Sequence, residues 1–373
     1  MKKKTLPLAL VLVILIATIP ALPPSVAEAA YTTAPTMFKK LLILDFDPIM
    51  PVNNGVRFTE YYGWENKTTR QIVEDITARL KTASHGIINY EIKYEVLDEF
   101  PMFNDGYQVD AKTFLTIWDK SKGYNGGNME LYEPENIRDD CGFNYQHYID
   151  ALNLVKRRNN GEFDEIWMFI GRFAQGFETA MVGRGAYWIN GAAFEEDCAP
   201  FRINWINKSR DDTPLHNLSH SMESIMSNVY QSNDWAWSPD FKAKPEDEKN
   251  TWEKFTSIDL SYPGKAAVGY CHYTPNSESD YDYDNTRKVY STWRDWRDNY
   301  PNLTGKTELV NVDAWYTGKN HDLDWQTFCF SCFPHVTGRD EKGYSHNWWE
   351  YYQNLVYTVS LDVQLDGKPV DGS

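Results

Sequence analysis

Positive charge is scarce in this 373-residue chain: 37 Lys and Arg face 53 Asp and Glu, for a formal net charge of −16. A surface so biased repels polyphosphate and anionic lipid, and argues against nucleic acid or a charged membrane as partner. Beyond residue 30 the chain also lacks an apolar run long enough to span a bilayer. It lacks a dinucleotide fingerprint too. Gly183-Arg-Gly185 has no third glycine and no helical pattern behind it, which argues against a nucleotide cofactor. Cysteine is sparse, with five residues at Cys141, Cys198, Cys271, Cys329 and Cys332. Two disulfides and an odd thiol are open to them in an oxidising compartment. Cys329-x-x-Cys332 followed by His335 and His346 also has zinc-like spacing, without the second half of a ribbon.

Several features are plentiful. Lys2, Lys3 and Lys4 precede an apolar run from Leu6 to Leu22 and an Ala27-Glu-Ala29-Ala30 boundary, the pattern of a cleaved export signal over residues 1–29. The expectation is a secreted, soluble protein acting outside the cell. Fourteen Trp, 24 Tyr and 18 Phe exceed the needs of an ordinary core, so some rings are expected to line a surface or cleft.

Periodicity gives the architecture. Lys39 to Asp47 is a continuous apolar run of strand formers, Thr68 to Thr82 repeats like a helix, and Ile87 to Val96 alternates like a strand. A helix over Tyr145 to Arg158, capped by Asn144, leads into an apolar strand over Glu165 to Ile170, and a glycine-rich loop or wide turn follows over Gly171 to Gly191. This order predicts an α/β or α+β fold with a partly parallel sheet flanked by helices, its strands within about residues 36 to 175. The expected divisions are an α/β part over 36–235, a Trp-rich irregular part of the same globular unit over 236–351, and a C-terminal strand and tail over 352–373.

The segment Thr213-Pro-Leu-His216-Asn-Leu-Ser-His220-Ser-Met-Glu223 carries the chemistry. Thr213 suits an N-cap and Pro214 a first turn, while Leu215, Leu218, Met222, Ile225, Met226 and Val229 form an apolar stripe. His216, His220 and Glu223 fall together on another flank, within a turn of each other. That is half of a metal site. A third ligand must come from elsewhere, and His272 in Tyr270-Cys-His272-Tyr-Thr-Pro-Asn276 is the expected one. His220 with Glu223 or His216 would supply the helix ligands for zinc, His272 would complete the set, and a leftover carboxylate, Glu223 or Glu178, would act as base toward a bound water. The pattern departs from His-Glu-x-x-His because Asn217 follows His216, and His220-x-x-Glu223 resembles the first two ligands of zinc carboxypeptidases. Four Asn-x-Ser/Thr sequons, at Asn66, Asn207, Asn217 and Asn302, include one inside this helix.

Two further constellations invite chemistry. Asp280-Tyr-Asp282-Tyr-Asp284 suggests calcium, but Asn285 and Ser291 stand where an EF-hand loop needs glycine and glutamate, leaving a nonstandard calcium turn or an acidic loop beside the cleft. Trp296 and Trp315, in a region that also holds Trp293, Trp325, Trp348 and Trp349, either build core or stack on a substrate. Together, Phe163-Asp-Glu-Ile-Trp167, Tyr187-Trp-Ile-Asn-Gly191, His220-Ser-Met-Glu223, His272-Tyr-Thr-Pro-Asn-Ser277 and Asn347-Trp-Trp349 resemble a group of uncharacterised secreted bacterial proteins. That resemblance implies a shared architecture and export, and supplies no reaction. Two functions follow as expectations. One is a secreted zinc-dependent hydrolase acting on a peptide or other amide polymer. The other is a glycan-binding protein or metal-independent glycoside hydrolase using Trp296, Trp315 and the carboxylates Glu178 and Asp282.

Overall fold

Leu41 to Leu44 send alternate side chains into two different apolar clusters, which is what a central strand covered on both faces must do. This strand, β1 (Met37–Phe46), sits second in a six-stranded sheet. The computed structural model describes residues 31–52, 54–62, 67–104, 106–117, 142–171, 176–208, 211–232 and 246–356. The export signal, Cys141, Asn66 and most of the expected C-terminal strand and tail lie outside these residues. From Thr32 onward the described residues form one unit.

After β1 come α1 (Thr69–Ala83), β2 (Ile88–Leu97), α2 (Tyr145–Ala151), α3 (Leu154–Asn159) and β3 (Glu165–Ile170). Then follow β4 (Thr179–Val182), β5 (Ala193–Phe194), β6 (Phe201–Asn207), α4 (Thr213–Val229) and, later, α5 (His321–Ser331). The sheet order is β2-β1-β3-β6-β4-β5, with β2, β1, β3 and β6 mutually parallel and β4 antiparallel to β6. Thr68 closes a full capping box at the start of α1.

The structure alters four expectations. The sheet does not end near residue 175, since β4, β5 and β6 lie beyond it and β6 pairs directly with β3. The helix over Tyr145 to Arg158 is two helices, because Asn153 takes a left-handed conformation with φ 53° and breaks the hydrogen-bond ladder. The glycine-rich segment is not only a loop: Thr179–Val182 leaves it to become β4. Asp212, not Thr213, is the N-cap of α4, and its side chain makes no capping bond.

One face of the sheet packs on α2 and α3 through Tyr145, Tyr148, Ile149 and Leu154. The other packs on α1, α4 and the C-terminal half. Trp252, Trp293, Trp296, Trp315, Trp325, Trp348 and Trp349 join that second cluster, so the Trp-rich half extends the sheet's own core. Covered in this way, α4 has 13 of its 17 residues buried.

Candidate metal centre

Helix α4 is pinned to β6 before any metal is considered. Arg202 donates to Ser221 Oγ at 2.7 Å, Asn204 Nδ2 donates to the Pro214 carbonyl at 3.0 Å, and Asn217 Nδ2 donates to the carbonyls of Trp205 and, at 3.2 Å, Glu178. These buried polar contacts fix the rotation of the helix, which a stripe of apolar side chains alone defines loosely. His216 and His220 then project on the side facing the Gly269–Tyr273 turn. That turn needs its glycine: Gly269 has φ +99°, and a Cβ there would lie 2.3 Å from the Tyr273 carbonyl oxygen. The Cys271 carbonyl accepts from Trp325 Nε1 at 3.1 Å, Gln326 Nε2 at 2.9 Å and the Tyr283 hydroxyl at 3.1 Å, which holds His272 over the helix.

The three imidazoles converge through the same atom. Nε2 of His220 lies 2.9 Å from Nε2 of His272 and 3.2 Å from that of His216, and the latter two are 3.4 Å apart. A tetrahedral ion about 2.0–2.1 Å from each nitrogen separates its ligands by about 3.3 Å. The opposite nitrogen of every ring meets a carboxylate: His216 Nδ1 and Asp322 at 3.0 Å, His220 Nδ1 and Glu223 at 2.8 Å, His272 Nδ1 and Asp280 at 3.0 Å. Each carboxylate holds the proton on Nδ1 and turns the Nε2 lone pair inward. Three lone pairs then face one point. A cation bonds all three at once, whereas a single proton bridges only two of them.

Electrostatics keeps two of the rings neutral and favours an extra proton on the third, which an ion would have to displace. Burial pulls His220 down to about 4 and His272 down to about 4, their neighbouring imidazoles adding to the effect. Burial opposes charge on His216 as well, but Asp322, with Glu178 and Asp212 behind it, outweighs burial and raises it to about 9. Burial raises Glu223 to about 7.

Cys271 completes the group of side chains whose ligand atoms lie within 4.8 Å of one another. Its Sγ is 4.0 Å from His216 Nε2, longer than the separation of about 3.6 Å expected between tetrahedral nitrogen and sulfur ligands. The thiol faces the His216 carbonyl at 3.7 Å, and burial pushes its pKa well up. The three histidines are therefore the tighter set.

The sequence assignments sort out by geometry. Glu223 faces away from the Nε2 convergence: one oxygen holds His220 Nδ1 and the other accepts from Cys271 N at 2.9 Å, so it positions His220 and is placed neither as ligand nor as base. Glu178 sits at the mouth, its carboxylate oxygen 3.8 Å from His220 Nε2, half-buried beside a cleft of about 590 Å³. His216 and His220 are four residues apart, the spacing of a His-Glu-x-x-His helix, with buried Asn217 in place of the glutamate. Asn217 is inaccessible to a glycan. Trp296 and Trp315, each 3 % exposed, are core residues and present no face for a sugar. Asp282 accepts from Glu278 N and Asn285 Nδ2, so it braces its own loop. Asp280 instead turns to His272 and Asp284 is exposed, so the acids that suggested calcium diverge. Cys198, Cys271, Cys329 and Cys332 are free thiols, and His335 stacks on His85 at 3.7 Å rather than joining Cys329 and Cys332 in a zinc site. Asp322, Asp280 as an orienting group, Cys271 and Tyr281 were missed. Tyr281, 52 % exposed, lies 3.9 Å from the His272 ring centroid and stacks parallel to His216. Only the acidic loop after His272 hinted at Asp280.

The fold and site thus define a mixed α/β protein with a buried histidine cluster, backed by carboxylates, that can hold a metal ion. No known protein family, curated protein or solved structure matches the chain.

Proposed function

We propose that this is a secreted metal-dependent hydrolase of peptide or other amide bonds in an extracellular polymer, with zinc as its ion. The observation that carries the reading is the convergence of three Nε2 atoms within 3.4 Å, each ring backed by its own carboxylate, beside an open cleft. Three neutral nitrogen ligands with an open fourth direction form the donor set of a catalytic zinc site. An ion so held supplies Lewis acidity and lowers the pKa of a bound water.

The protein's own residues do the rest. Asp322, Glu223 and Asp280 hold the rings in the ligating tautomer. Glu178 accepts a proton from the attacking water as the new C–O bond forms and returns it to the departing nitrogen as the C–N bond breaks. It stands in for the base that Asn217 cannot supply. The glycan alternative loses its support with the burial of Trp296 and Trp315.

Elemental analysis of the purified chain tests the reading. It should find about one zinc per chain, lost in His220→Ala, and chelator should lower the melting temperature. Metal-free protein whose melting is indifferent to both chelator and added zinc would overturn it.

A further inference from the structure

We infer that the cleft takes a substrate bearing a cationic hydrogen-bond donor, an ammonium or guanidinium, next to the bond that is cut. This deepens the hydrolase reading and rests on it for the identity of the reaction, but not for the binding preference. The cleft has ten lining residues, among them the carboxylates Glu178, Asp212 and Asp322 and no lysine or arginine. Asp322 is spent on His216 Nδ1 and Gln326 Nε2. Glu178 and Asp212 also stand on the walls, each held by an amide: Glu178 Oε2 accepts from Asn190 Nδ2, and Asp212 Oδ2 accepts from Asn320 Nδ2 at 2.9 Å.

A second, independent feature points the same way. Asn217 also lines the cleft, is wholly buried, and donates through its amide nitrogen to the carbonyls of Glu178 and Trp205. Those two bonds fix the orientation of the amide, so its Oδ1 is an acceptor, and among the described residues it has no partner. A buried acceptor left unmatched costs free energy, and a ligand that donates to it relieves that cost. The cationic side chain on this wall, His216, is paired with Asp322, so the remaining acceptors of negative or neutral charge match a donor-rich positive group and repel a carboxylate or phosphate. The shared chemistry has two sources in a peptide, its N-terminal ammonium and an arginine or lysine side chain.

Calorimetric titration of the zinc-loaded full chain separates them. The probes are four tripeptide amides: acetyl-Ala-Arg-Ala, unacetylated Ala-Ala-Ala, acetyl-Ala-Ala-Ala and acetyl-Ala-Glu-Ala. At least one of the first two should bind roughly tenfold tighter than the neutral third, and the acidic fourth more weakly still. Preference for the arginine peptide assigns the contact to a side chain; preference for the free amine assigns it to a chain start. Glu178→Gln and Asp212→Asn should each shrink the margin severalfold. Glu178 is half-exposed, so its variant keeps the fold even if the buried Asp212 change does not. Equal binding of all four, or an unchanged margin in a folded Glu178→Gln, overturns the inference. Zinc binding without charge preference sinks this inference alone, whereas charge preference without zinc sinks the metal reading alone.

Discussion

At the residue scale, the two glutamates near His220 have opposite roles that substitution separates. Glu178 faces the cleft and Glu223 faces the back of the ring. Glu178→Gln should keep zinc and lose roughly 10²–10⁴-fold in turnover, the usual worth of a positioned base. Asp280→Ala should do the reverse. Its carboxylate is half-exposed, so the fold survives, but His272 loses the partner of Nδ1 and zinc affinity falls roughly 10–100-fold, read by competition with a chromophoric chelator. The three converging histidines were legible in the sequence because two of them share one helical face and the third sits in a glycine-led turn. Their orienting acids were not. Asp322 is 106 residues from His216 and opens a helix with no local sign of partnership. Glu223 was misread because spacing reports which face a side chain occupies and says nothing of which ring nitrogen it meets.

At the element scale, legibility followed how far a segment's own pattern determines its state. The central strands β1 and β3 carry uninterrupted apolar runs, Leu41–Leu44 and Ile166–Ile170, and α1 repeats Ile72, Ile76 and Leu80 at helical spacing, so these were readable. Strand β6, Phe-Arg-Ile-Asn-Trp-Ile-Asn, was not: its Arg202 and Asn204 look like surface residues, yet both are buried and serve to anchor α4. Tertiary partners overrode the local signal. The Gly269–Tyr273 turn is the element on which the site depends most. Gly269→Ala forces a Cβ into a left-handed position and against the Tyr273 carbonyl, so it should cost roughly 2 kcal/mol or more. Because His272 rides on this turn, zinc affinity should fall alongside the melting temperature. A variant that melts earlier and binds zinc as before would show that the turn does not place the ligand.

At the scale of the whole molecule, one buried ion network ties the sheet to the C-terminal half. Glu165 on β3 accepts from Lys39 on β1 at 2.8 Å, Arg202 on β6 at 2.9 Å and Trp167 Nε1 at 2.7 Å, and both cations lie over the ring of Tyr352. Burial by itself would raise the Glu165 carboxyl, but Arg202 and Lys39 outweigh it and hold it at about 2, against an ordinary 4.5. A carboxylate depressed on folding contributes stability that is complete above the ordinary value and disappears as pH falls through the folded one. Thermal stability should therefore decline between about pH 4.5 and pH 2 as this group takes up its proton. Glu165→Gln removes that source of decline and strands two buried cations, a change that costs roughly 3–5 kcal/mol at neutral pH. Melting curves of both proteins across that window decide the matter: the variant should start lower and vary less with acid. Parallel curves would place the acid sensitivity elsewhere and reduce this network to a packing contact, with Arg202 then holding Ser221 on α4 without help from the charge beneath it.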